Sequence, residues 1–141
     1  MRIRTAVETD AAAISGLLRE LGHPLEPALV AARITELSRV LPPHGVFVAT
    51  IEGVVVGVAT AFASPVLHRA EPVGISVLVV SSSSIGTGVG SALLLHVGAF
   101  LRGHGCERIE VTSAAHRHLA HEFYRRRGYE QQGVRLSKAI P

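Results

Sequence analysis

The sequence predicts a single-domain mixed α/β or α+β fold, on three observations. Apolar residues recur at helical spacing in several segments, as at Ile14, Leu17, Leu18 and Leu21. β-rich runs such as "VGISVLVV" lie between those segments. The order reads strand, two helices, three strands, helix, strand, helix and one or two closing strands, which is neither a pure bundle nor a pure sandwich. With 141 residues, 48% hydrophobic and 18% charged, the chain is long enough for one packed core and too apolar for disorder.

Arg2 to Val7 alternates and predicts a first strand. Asp10 is placed to cap a helix over Ala11 to Leu21, which Gly22 closes. A second helix is expected from Pro27 to Leu41, burying Val30, Ile34, Leu37 and Leu41 until "PPHG" stops it. Glu52-Gly53 joins two β-rich runs in a tight hairpin turn. After the loop "SPVLHRAEP", the strand Val73 to Val80 is apolar at nearly every position, as a central strand is. A helix follows from about Gly88 to His104, with Val89, Leu93, His96, Val97, Phe100 and Leu101 at helical spacing and Gly105 at its end. "RIEVTS" reads as a strand, "HRHLAHEFYRRR" as a helix ending at Gly128, and "YEQQGVRLSKAI" as the closing strands.

Composition narrows the function. The single cysteine, Cys106, excludes an internal disulfide and a Cys-rich zinc site, and reads as a small buried residue. A net charge of +3 favours an anionic ligand mildly. Only Arg125, Arg126 and Arg127 cluster and aromatics are 4%, so no nucleic-acid partner is expected. The histidines, His116, His118 and His121 included, lack an associated carboxylate pattern, so no metal is expected. No apolar run reaches membrane-spanning length, and "MRIRTAVETD" lacks the apolar stretch of a secretion signal. A cytoplasmic protein with no membrane partner is expected.

The stretch "SSSSIGTGVGSALL", Ser81 to Leu94, joins the central strand to the following helix. Gly86, Gly88 and Gly90 leave main-chain N–H groups uncovered where a helix N-terminus concentrates positive potential, a setting for phosphate. A P-loop is excluded, because no lysine occurs in this loop. A dinucleotide fingerprint is a near-match, with Ser91 at its third small site and Glu110 as the ribose acid. Against it, the loop comes late and leaves too little chain for a doubly wound sheet.

The third kind of loop binds acyl-CoA. "LVV" at 78–80, "GTGVGSALL" at 86–94, "GCERIEVTS" at 105–113 and "HRHLAHEFYRRRGY" at 116–129 together resemble the GNAT superfamily of acyl-CoA N-acyltransferases. The last segment carries the more specific pattern, in Ala120, Phe123, Tyr124, Gly128 and Tyr129. The resemblance implies a central, mostly antiparallel sheet, splayed at its middle, with helices on both faces, forming one N-acetyltransferase domain over residues 1–141. It implies pantetheine against the backbone of Leu78, Val79 and Val80, and the diphosphate on the amides of Gly86, Thr87, Gly88, Val89, Gly90 and Ser91. Arg117, Ala120, Phe123 and Tyr124 join the cofactor-binding set, Arg117 standing where many members carry asparagine. Ile85 departs from the family's usual arginine or glutamine and removes a charge-assisted contact.

The implied reaction moves an acetyl group from acetyl-CoA to a primary amine by direct attack in a ternary complex. A main-chain N–H of the Leu78–Val80 strand polarises the thioester carbonyl. Tyr124 matches the family's proton donor to the leaving thiolate, at little pKa mismatch. The usual strand glutamate is missing from Val73–Val80, so the base stays open among Glu110, His116, His68, Glu71 and a water chain. His68, Arg69 and Glu71, in the loop before the cofactor strand, are candidates to line the acceptor pocket. The acceptor is expected to be a small-molecule amine, and the family implies a homodimer. A non-catalytic acyl-CoA-binding module, suggested by Ile85 and the missing glutamate, is the alternative.

Overall fold

Strand β1 (Arg2–Thr5) opens the first of two compact units, Met1–Val111 and Thr112–Pro141, in the computed structural model, which describes residues 1–40 and 44–141. Helix α1 spans Ala11–Leu21, as its apolar spacing predicts, and ends on Gly22 in the left-handed conformation (φ 91°). Asp10 precedes it but does not cap it. Its carboxylate instead accepts hydrogen bonds from Arg4 Nη1 and Nη2, at 2.7 and 2.8 Å, and from the Val7 N–H at 2.8 Å. The Arg4 bonds chiefly hold Asp10 below the ordinary carboxylate range. Helix α2 covers Pro27–Arg39, with Pro27 in its first turn. The expected end at Leu41, and the prolines after it, lie outside the described residues.

Strands β2 (Gly45–Ile51) and β3 (Val54–Ser64) form the predicted hairpin, with Glu52 and Gly53 at φ 51° and 80° in its turn. Strand β4 (Val73–Val80) pairs antiparallel with β3 along its whole length, Gly57 opposite Val80 through Ser64 opposite Val73. Helix α3 runs Val89–Gly103, and β5 is only Ile109–Val111, shorter than the alternation of "RIEVTS" suggests. The sheet order is β1-β2-β3-β4-β5, antiparallel except for β5, which lies parallel to β4. That arrangement excludes the doubly wound parallel sheet that a dinucleotide fingerprint requires.

Each face of the sheet holds its own core. On one, Ile14, Leu17, Val30 and Ile34 of α1 and α2 join Val46, Val48, Val58 and Val79. On the other, Val89, Leu93, Val97 and Leu101 of α3 join Phe47, Ala49, Ala59 and Ala61. Small strand residues set how closely α3 approaches. A Cβ at Gly57 would meet Val89 Cγ1 at 2.9 Å, and one at Gly74 would meet Leu101 Cδ1 at 2.7 Å and the Arg108 carbonyl at 2.9 Å. Cys106 is buried in the same core, and burial pushes its thiol pKa up, which suits an inert packing residue.

In the second unit, α4 occupies His118–Arg125, and Gly128 follows it at φ 85°. The described residues 129 to 141 hold no helix or strand, so the closing strands expected there are absent. Val134, Leu136 and Ile140 are 83%, 89% and 95% exposed. β propensity is realised only against a partner surface, and these side chains have none to pack on.

Gly74→Ala should destabilise the protein by about 1–3 kcal/mol, because the new methyl overpacks against Leu101 and the rigid Arg108 carbonyl. Thermal unfolding checks this, and an unchanged melting temperature would show that α3 does not pack this closely.

Candidate active site

Sheet pairing ends abruptly beside β5. Parallel partners are Gly74 with Ile109, Ile75 with Glu110 and Ser76 with Val111. Among the described residues of Met1–Val111, no strand follows β4 on that side from Val77 to Val80. Main-chain groups of an antiparallel strand alternate sides. The Ser81 N–H donates to the Val56 carbonyl at 2.8 Å, on the β3 side. Counting back in register, Val79 and Val77 also face β3, whereas Leu78 and Val80 turn their N–H and C=O groups to the open edge. The Gly74 N–H confirms the alternation, donating to the Arg108 carbonyl on the β5 side at 3.0 Å. Of the three residues in "LVV", Leu78 and Val80 thus offer backbone to a ligand, and Val79 offers a buried side chain to the core.

Beyond Val80 the chain makes a single 3-10 turn, Ser82–Ser84, and reaches α3 through Ile85 to Gly88. Gly86 and Gly88 sit at φ 81° and 88°, a conformation that side chains disfavour. A Cβ at either would find no atom within 4 Å, so these glycines are not required by internal packing. They shape the loop and keep its outer surface bare. The first intrahelical bond of α3 is Ala92 N–H to the Gly88 carbonyl at 3.0 Å, so the amides of Gly88, Val89, Gly90 and Ser91 precede the helical ladder. Thr87 differs from expectation, because its N–H and hydroxyl both turn back to the Ser84 carbonyl, at 3.3 and 2.6 Å. Ile85 is 70% exposed, an apolar side chain at the loop's outer surface.

One contact here was not foreseen. The Glu20 carboxylate, in the last turn of α1, accepts the Ser82 N–H at 2.9 Å. A carboxylate in a last helical turn opposes the helix dipole, and that was the available hint of a partner elsewhere. Ser81 and Ser83 hydroxyls share a hydrogen bond at 2.9 Å, and Ser84 is buried. The Ser76 hydroxyl, at the last parallel pair, is buried with no hydrogen-bond partner among the described residues.

The remaining candidates separate. Glu110 is exposed on β5, in register with Ile75. Arg69 and Glu71 pair with each other (Nε to Oε1, 3.4 Å), while His68 is exposed in the same loop. In the second unit, His116 is exposed ahead of α4, and Arg117 occupies the position preceding its first residue. Ala120, Phe123 and Tyr124 are half-buried on α4. Tyr124 packs against Phe123 and Tyr129, each with ring centroids 5.3 Å away, and the Arg127 guanidinium lies 3.7 Å above the Phe123 ring. Burial, and then the neighbouring Tyr129 phenol, push the Tyr124 pKa up to about 12. The expected small mismatch with a thiol of roughly 8.5 is therefore corrected to a wide one.

Comparison with known proteins agrees with this architecture. Residues 14–129 match the Acetyltransferase (GNAT) family. Over 89 residues the chain is 37% identical to an aminoalkylphosphonate N-acetyltransferase of Salmonella typhimurium, an overlap covering 62% of this chain and 58% of that relative. The fold is shared with a transcriptional regulator from Bacillus halodurans (TM-score 0.87, 21% identity, 99% of each chain). It is shared also with glucosamine-6-phosphate N-acetyltransferase from Arabidopsis thaliana (TM-score 0.83, 17% identity, 99% of this chain and 98% of that one). At such identities the structural matches establish fold alone. No helix among the described residues is long and apolar enough to cross a membrane.

Spectrophotometric titration should find the Tyr124 phenolate forming near pH 12, and Tyr124→Phe should remove that step. Because the folded pKa exceeds the unfolded value of about 10, this group's contribution to stability is complete below pH 10 and declines as pH rises through 12. A Tyr124 step near pH 10 would show that the phenol is solvated.

Proposed function

Because the chain belongs to the GNAT acetyltransferase family, we propose that residues 1–141 act as one N-acetyltransferase domain transferring acetyl from acetyl-CoA to a small primary amine by direct attack. The observation that carries this reading is the open edge of β4. A ligand bearing amide groups can replace water on the Leu78 and Val80 main chain as an added strand does. The main-chain amides of Gly86, Gly88, Val89 and Gly90 suit the diphosphate at the start of α3. The residues present therefore fit coenzyme A, which supplies the activated acetyl group as a thioester.

In the reaction the amine nitrogen forms a bond to the acetyl carbon, the carbon–sulfur bond breaks, and sulfur leaves with the electron pair. The Leu78 N–H is assigned to the carbonyl oxygen, where a fixed donor stabilises developing negative charge. Glu110 is assigned as proton acceptor. It takes the nitrogen's proton once acylation has made that proton acidic, since a carboxylate is too weak a base for a free alkylammonium. Tyr124 stays protonated at neutral pH and donates a hydrogen bond to the leaving sulfur. The proton released by the nitrogen balances the thiolate. His116 remains a second candidate acceptor, and Arg117, Ala120 and Phe123 are assigned to cofactor binding.

Ile85 favours one other reading, a non-catalytic acyl-CoA-binding module. Its exposed side chain supplies no charge to a phosphate. Release of free thiol with any amine separates the two.

Gly88→Val should weaken acetyl-CoA binding by about tenfold or more, through backbone strain and a branched side chain before the amides. Calorimetric titration measures this, and unchanged affinity would remove the loop from the site. Tyr124→Phe should lower kcat while leaving acetyl-CoA affinity near that of the parent. Equal kcat would reassign the sulfur's hydrogen-bond donor.

A further inference from the structure

The α1/α2 face of the sheet is only partly covered. Val48, Val58 and Val79 are buried there, but the rows beyond them emerge. Thr60 lies opposite Val77, which is 46% exposed. In the next row Phe62 is in register with Ile75, and Ile75 with Glu110. Gly45 pairs with Ala61, so His44 continues that row past Phe62, and the two rings stack at 4.5 Å with an interplanar angle of 13°. One transverse line, His44, Phe62, Ile75 and Glu110, thus crosses the strands. Three interstrand spacings give it a length of about 14 Å. It ends at Glu110, one residue before β4 and β5 lose each other.

The chemistry along this line is uneven. Glu110 is the one ionisable side chain anywhere in β2 to β5. The floor is aromatic and aliphatic, and burial lowers the His44 pKa, favouring the neutral ring. Among the described residues the His44 ring nitrogens have no hydrogen-bond partner, whereas its main-chain N–H is fixed to the Leu37 carbonyl at 3.1 Å.

We propose that this line is the acceptor subsite and selects a monocationic primary amine with an apolar, aryl-ended body. The amine docks as ammonium at Glu110 and loses one proton to solvent before it attacks, the body crosses Ile75 and Phe62, and the far end meets the His44 ring. A second ammonium over Ile75 and Phe62 would lose hydration, with no carboxylate on β3 or β4 to replace it. Polyamines and aminoglycosides are therefore poor acceptors. This inference rests on the transferase reading above and deepens it.

The test is acetyl-CoA-dependent thiol release with 4-phenylbutylamine, spermidine and kanamycin. The protein should favour 4-phenylbutylamine in kcat/KM by about tenfold or more, the scale of apolar-pocket discrimination. His44→Ala should raise KM for that amine by about tenfold, with a smaller change in kcat. Val77→Asp, at a half-exposed position that tolerates a polar group, should shift preference towards spermidine. Preference for spermidine in the parent protein, or an unchanged amine preference in both variants, overturns the inference. In either case, turnover together with a melting-temperature rise in acetyl-CoA leaves the transferase reading standing. If no amine is acetylated, both fall.

Discussion

Everything in this molecule turns on β4 having a partner on one side for its whole length and on the other for three residues only. Hydrogen bonding to β3 holds the strand extended through Val80, so its free edge stays straight where β5 has ended. Backbone groups at Leu78 and Val80 are thereby held in strand geometry without a strand to receive them. Left dry, such groups cost about 1–3 kcal/mol each. Water or an amide-bearing ligand must satisfy them, and a ligand that does so needs little rearrangement of the protein. The glycine loop depends on this in turn, because the end of β4 sets where the chain leaves the sheet and where α3 starts.

Most of the fold was legible because its elements are locally consistent. The α1 bounds, the β2–β3 hairpin with its Glu52-Gly53 turn and the full extent of β4 follow from periodicity and turn chemistry. The end of the chain was not legible, since "YEQQGVRLSKAI" has strand composition and yet stays exposed for want of a pairing surface. Asp10 misled in a different way. Its position before an apolar helix predicts a cap, but Arg4, six residues earlier on β1, offers two charged donors and takes the carboxylate. Local propensity cannot see a competitor on another element.

The site divides along the same line. Glycines 86 and 88 stand out in the sequence for what they lack, and the structure holds both at positive φ. Which members of "LVV" present backbone was not identifiable, because that depends on β-ladder phase, which Ser81 and Gly74 reveal only once their partners are known. His44 escaped notice for a similar reason. Nothing in "PPHGV" marks it, and its relevance comes from strand register that brings residues 44, 62, 75 and 110 into one row.

Glu20 explains how a loop without arginine can still be ordered. Positive potential at the start of α3 attracts any nearby anion. The protein supplies one of its own, but at Ser82, upstream of the glycines, where it anchors the chain as it leaves β4. Ser84 then engages both the amide and the hydroxyl of Thr87. Two fixed points thus bracket Ile85 and Gly86. Order in this loop is supplied by carboxylate and carbonyl acceptors from within the chain. A charged side chain at position 85 is not needed to shape this loop.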